Sequence, residues 1–92
     1  MGKVYRLALM SQEEVPIIGF IDLLKEEKEL GIYSNEDAAI REMMEFVVRI
    51  LHRPLEQLKL IGHDYNWKAF SVPGIPSSRR ERFTIVEELI GE

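Results

Sequence analysis

Metal-binding or acid–base chemistry in this chain depends on two histidines, His52 and His63, because its 92 residues include no cysteine. His52 and Glu56 are four positions apart, but Pro54 between them breaks the helix that would align the two side chains on one ion. His63 is followed by Asp64, and such a pair needs further ligands from other helices to hold a catalytic metal. The histidines therefore predict no metal ion and no other cofactor.

Nucleophilic catalysis and phosphate binding also lack their usual motifs. No serine has the flanking glycines that expose a nucleophile above a sheet, and the six glycines are never clustered in a phosphate-binding loop. Adjacent acidic residues, such as Glu13 and Glu14, diverge on a helix or a strand and cannot share a proton. We therefore expect a protein that is not an enzyme.

Residues 47–82 hold seven basic and three acidic side chains, so this part of the chain is locally positive, whereas the last ten residues are negative. Tyr65 and Trp67 lie within the positive part. Cations neutralise phosphates and aromatic rings stack on bases, so the basic loop 79–82 and the segment 58–72 with Lys59 indicate nucleic acid as one partner. Arginine and aromatic residues are also enriched at protein–protein interfaces, so another protein is the alternative partner. The candidate macromolecule-binding residues are Tyr65, Trp67, Lys68, Arg79, Arg80 and Arg82.

The first third of the chain has the pattern of a strand followed by a helix. Apolar residues alternate from residue 3 to residue 10, which predicts a strand with one well-buried face. Between residues 14 and 30 they recur at helical spacing, with Pro16 inside the first turn and Gly31 as a C-terminal cap. We therefore expect a first helix in this segment.

A second helix is predicted to begin at Ser34, which has the residue type of an N-cap, and to continue to Leu51 before Pro54 ends it. Apolar residues cover most of its circumference, more than a small monomer can bury. We expect a homodimer through this helix, although a central helix fully covered by the sheet and the first helix is the alternative. The predicted interface residues are Met44, Phe46, Val47 and Ile50.

The last third of the chain has the period of strands. A hairpin is predicted over residues 58–72, with its tip at 64–66, followed by a loop over 73–80. Residues 82–90 are expected to form a last strand, with a short terminal helix as the alternative. The fold class is therefore α+β, with a helical hairpin packed on an antiparallel sheet in the order β-α-α-β-β-β. The length predicts a single domain over residues 1–92.

Composition bears on the cellular location of the protein. The chain is 46% hydrophobic with a net charge of −4, which is typical of a folded domain, and no apolar run is long enough to cross a membrane. With no cysteine and no signal peptide, we expect a cytoplasmic location.

Three functions are consistent with these observations. The first is a small homodimeric interaction or regulatory module, and the second is the nucleic-acid-binding protein described above. The third is a small-ligand-binding domain with a pocket where Gly62, His63 and Trp67 approach the helices.

Overall fold

The protein is a single five-stranded antiparallel sheet with one α-helix on one face, as seen in a computed structural model that describes residues 2–17, 20–74 and 80–91. The strand order β2-β1-β5-β4-β3 places the first and last strands of the chain side by side. The described elements are β1 (Gly2–Ile17), β2 (Phe20–Tyr33), α1 (Glu36–Arg49), a 3₁₀ helix (Leu55–Gln57), β3 (Leu60–Asp64), β4 (Trp67–Ser71) and β5 (Arg80–Ile90).

The predicted helical hairpin is wrong, because the segment expected to be the first helix is extended. The strand predicted over residues 3–10 is confirmed but continues to Ile17, and β2 runs antiparallel beside it, with Tyr5 opposite Tyr33. The observed order is β-β-α-β-β-β. Residue types explain the outcome, since Pro16 and its β-branched neighbours Val15 and Ile17 suit extended backbone. Pairing of β1 with β2 satisfies the backbone polar groups that the two strands turn toward each other.

The helix predicted after Ser34 is confirmed as α1, but its N-cap is Asn35. The Ala38 backbone N–H donates to Asn35 Oδ1 over 2.8 Å, which satisfies one of the free donors of the first turn. The helix ends at Arg49, earlier than predicted, and His52 then adopts a left-handed backbone conformation with φ of 53°.

The predicted hairpin and last strand are confirmed as β3, β4 and β5. The turn between β3 and β4 lies at residues 65–66, inside the predicted tip. β5 is a strand throughout, so the alternative of a terminal helix is wrong. Within the predicted loop, Pro73 and Gly74 form a turn, residue 80 belongs to β5, and residues 75–79 lie outside the described part of the chain.

The hydrophobic core lies between α1 and one face of the sheet. Ala39, Met43 and Val47 point from the helix into this layer. Leu7 and Phe83 from the two central strands meet them, and all five side chains are buried. None of the helices in the described ranges combines the length and the apolar character that a membrane span requires.

Candidate functional site

The two faces of the sheet differ in what covers them. Leu7, Phe83 and Ile85 lie on the face against α1, so the alternate residues of the same strands lie on the opposite face. No helix or strand that the structure describes packs on that opposite face, which we call the open face. A sheet of this size with one covered face leaves the other face for solvent or for a partner.

A row of small residues crosses the centre of the open face. The register places Ala8 opposite Thr84, Thr84 opposite Ala69, and Ala69 opposite Gly62, so four strands contribute to the row. Ala8, Ala69 and Thr84 are buried although no element of the described residues covers them, because larger side chains flank the row on both sides. The row is therefore the floor of a groove that runs across the strands.

Trp67 forms one wall of this groove. A Cβ atom at Gly62 would lie 3.4 Å from the indole carbons Cη2 and Cζ3, so the ring packs directly over the glycine on the neighbouring strand. Trp67 is opposite Val86 on β5 and remains 37% exposed. Gly62 thus allows the close approach of the indole, and the ring keeps an accessible surface toward the groove.

The second wall combines apolar and charged side chains. Met10, Ile61 and Arg82 line it, and Glu27 lies at its end, around a groove volume of about 390 Å³. Ile61 is mostly exposed, at an irregularity in the pairing of β3 with β4. Among the described residues no carboxylate lies within ion-pairing distance of the half-buried Arg82 guanidinium. The groove therefore offers an aromatic ring on one side and, on the other, a cation with no ion-pair partner among the described residues.

A charged cluster borders the groove where β1 lies between β2 and β5. Arg6 binds Glu29 over 2.8 Å and donates to both carboxylate oxygens of Glu88, over 2.9 and 3.1 Å. The hydrogen bonds from Arg6 lower the pKa of Glu88 below its ordinary value, and the same bonds raise the pKa of Arg6. The open face thus carries fixed charges of both signs beside its apolar groove.

The predicted macromolecule-binding residues are divided between different surfaces. Trp67 and Arg82 come together on the open face, whereas Lys68 lies on the α1 face and pairs with Glu36. Tyr65 is 90% exposed at the β3–β4 turn. The backbone of Arg80 begins β5 opposite Gln12, and Arg79 lies outside the described residues.

The residues predicted to form a dimer interface lie on different sides of α1. Val47 is fully buried in the core, and Phe46 packs edge-on against Phe83 with ring centroids 5.9 Å apart. Met44 and Ile50 are exposed. The helix therefore presents only part of the predicted interface to a partner.

The residues predicted to bind a metal ion or a small ligand are not brought together. His52 and His63 are both exposed, and within the described ranges no three acidic or histidine side chains are close enough to hold a metal ion. The proposed ligand pocket beside the helices is not formed as expected. Gly62 and Trp67 line the open face, while His63 is in register with Lys68 on the α1 face.

Sequence reasoning missed the floor of the groove and the apolar part of its walls. Ala8 and Met10 occupy the alternate positions of β1, and Thr84 and Val86 the alternate positions of β5. These positions carry small or apolar residues, whereas polar residues are usual on a solvated sheet face. The small and apolar residues at these alternate positions were the sequence signal that the second face of the sheet is also a binding or packing surface.

No family model matches the chain, and neither a curated protein sequence nor a solved structure matches it. The site must therefore be interpreted from its own geometry.

Proposed function

We propose that the protein is a small non-enzymatic interaction module that self-associates, with two copies packed through their open faces. The observation that carries this proposal is the uncovered groove over Ala8, Thr84 and Ala69, with Trp67 and Met10 on its sides. Two antiparallel sheets bury such faces by packing about 10 Å apart with their strands nearly aligned. A second copy provides a partner of matching shape and strand direction.

The size of the open face suits a dimer. With strands about 4.8 Å apart and about 3.3 Å per residue, the paired residues of the five strands outside residues 13–25 cover roughly 600 Å². Each partner in a standard specific interface contributes roughly 600–1,000 Å². The open face lies at the lower end of that range, which fits a reversible dimer.

Charge also favours a second copy over nucleic acid. The open face carries the cations Arg6 and Arg82 beside Glu27, Glu29 and Glu88, so two copies can offset each other's charges. The net charge of −4 repels a polyanion. Lys68, one of the cations expected to contact phosphates, already has a carboxylate partner on the other face.

Sedimentation equilibrium of the full chain over a wide concentration range tests the proposal. Wild type is expected to dimerise, and Val86→Glu on the open face is expected to weaken the dimer at least roughly 100-fold, because it would bury an unpaired carboxylate. Met44→Glu is the matched control, since Met44 is exposed on α1. Circular dichroism verifies that both variants keep the fold.

Two results would contradict this assignment. A wild-type protein that stays monomeric at every concentration would exclude self-association. Loss of the dimer in Met44→Glu but not in Val86→Glu would place the interface on the helix.

Addition of a short single-stranded DNA at low salt tests the alternative partner. A complex with the DNA that disappears at higher salt would support nucleic-acid binding instead. The cytoplasmic location stays a prediction.

A further inference from the structure

Three parallel rows of residues across the open face limit how two copies can pack. The first row contains Val86 and Trp67, and the middle row is the groove floor. The third row contains Met10, Arg82 and Ser71. Neighbouring rows are about 7 Å apart, because they are separated by two residues along each strand.

Two-fold symmetry relates these rows in a simple way. When two sheets pack face to face, the symmetry axis lies between them, parallel to both faces. If the axis follows the middle row, it exchanges the first and third rows while each strand stays opposite its own copy. Trp67 then lies opposite Ser71 of the partner subunit, with Arg82 of the partner subunit one strand away.

We infer that the dimer is built on this axis, so that each Trp67 packs beside Arg82 of the partner subunit in two reciprocal cation–π contacts. This inference rests on the proposed self-association and specifies its geometry. The exposed part of the indole needs a covering group, and the half-buried Arg82 has no ion-pair partner among the described residues. A guanidinium over the face of tryptophan is a favourable pair for such an interface.

Packing at the axis favours the same arrangement. Over β1, β5, β4 and β3 the middle row consists of the small residues Ala8, Thr84, Ala69 and Gly62, so the two sheets approach closely where the axis passes these strands. The small side chain of Ser71 leaves room opposite the indole. An axis parallel to the strands and above β5 would instead bring the two Arg82 guanidiniums together, and like-charge repulsion disfavours this because Arg82 has no ion-pair partner among the described residues. The axis along the middle row brings Glu29, which ends this row on β2, opposite its own copy, but each Glu29 carboxylate is paired with Arg6.

The single tryptophan of the chain reports directly on this contact. Dilution of wild type through its dissociation range is expected to shift the Trp67 emission to longer wavelength and increase its quenching by acrylamide, because the indole becomes solvated. In Arg82→Gln the dissociation constant is expected to rise roughly 10- to 100-fold, since both symmetric contacts are lost. Arg82→Lys, which keeps the charge without the planar group, is expected to restore part of the affinity.

A double-mutant cycle separates this contact from general effects. Trp67→Leu and Arg82→Gln are measured singly and together by sedimentation, and the double variant is expected to be no weaker than the weaker single variant. Arg41→Gln, on the exposed side of α1, is the control and is expected to leave the dimer unchanged.

Failure of the Trp67–Arg82 contact and failure of self-association give different experimental results. If wild type dimerises but Arg82→Gln does not weaken the dimer, or if the two substitutions act additively, the Trp67–Arg82 contact is wrong and self-association stands. If wild type is monomeric throughout, both proposals fail.

Discussion

Among the described residues, His52 is the non-glycine residue with a positive φ, at 53°, and it lies two positions after Ile50, the C-cap of α1. This left-handed conformation costs roughly 1–2 kcal/mol for a residue with a Cβ atom, whereas glycine adopts it without that cost. Its side chain is exposed, so replacing it removes no buried contact.

We expect His52→Gly to raise the free energy of unfolding by about 0.5–1 kcal/mol, because the relief of backbone strain exceeds the entropic cost of glycine. Urea denaturation followed by circular dichroism measures the change. His63→Gly is the matched control, since His63 is exposed in the extended strand β3, and it is expected to lower the same free energy. A loss of stability in both variants would contradict the strain at His52.

At the same scale, the sequence indicated which residues had functional potential but not their neighbours. Trp67 and Arg82 were both recognised as candidates from their types. Their shared groove depends on Gly62 beneath the indole and on β4 lying next to β5. Neither relation is visible in the spacing of residues along the chain.

At the scale of elements, α1 is defined by local signals. Its first turn contains Glu36 and Asp37, which suit the positive end of the helix dipole. Ser34 and Asn35 are both suitable N-cap residues by type, and the sequence pattern favoured the first. In the folded protein the Ala38 N–H donates to Asn35 Oδ1, so Asn35 is the N-cap.

Substitution of the two cap candidates tests this distinction. Asn35→Ala is expected to lower the free energy of unfolding by about 1 kcal/mol, because the Ala38 N–H loses its acceptor. Ser34→Ala is expected to change it by a few tenths of a kcal/mol at most, since this exposed residue precedes the cap. Thermal and urea unfolding of both variants provide the measurement, and equal effects would disprove the assignment of Asn35.

The segment before α1 shows why an element can be mispredicted. Its apolar residues recur at a spacing that suits one face of a helix, and Gly31 resembles a helix cap. In β2, however, Gly31 lies opposite Leu7 on β1. A side chain at position 31 would collide with the ring of Tyr33. Backbone hydrogen bonds to β1 along β2 outweigh helical periodicity, although β2 is an edge strand and only the backbone groups that face β1 are paired in the sheet.

At the scale of the whole molecule, Arg6 joins parts of the chain that are far apart in sequence. It connects β1 to Glu29 on β2 and to Glu88 on β5, across 82 positions of the chain. The pKa of Glu88 is lowered by its hydrogen bonds with Arg6, so the folded state favours the ionised carboxylate. This contribution to stability is present above the pKa of Glu88 in the unfolded chain and is lost as pH falls through its lower pKa in the folded protein.

We therefore expect Glu88→Gln to be less stable than wild type near neutral pH, with a difference that diminishes as the solution becomes acidic. The effect is modest because the pair is solvent-accessible. Urea unfolding at a series of pH values, at constant protein concentration, measures the difference. Glu56→Gln, at an exposed position of the 3₁₀ helix, is the control. A difference independent of pH would exclude the Arg6–Glu88 interaction as its cause.

Sequence alone determined the first part of β1, α1 and the β3–β4 hairpin, and it favoured a strand over a terminal helix at β5. Each of these elements is encoded by signals within a few residues: a cap, a turn or an alternating pattern. The sequence also identified Trp67 and Arg82 as residues to consider. Only the tertiary structure decided that β2 is a strand and that the open face contains a groove. Both depend on the order β2-β1-β5-β4-β3, which brings the two ends of the chain together. Strand pairing over such distances arises from backbone hydrogen bonds and packing between segments, which residue patterns within one segment do not specify.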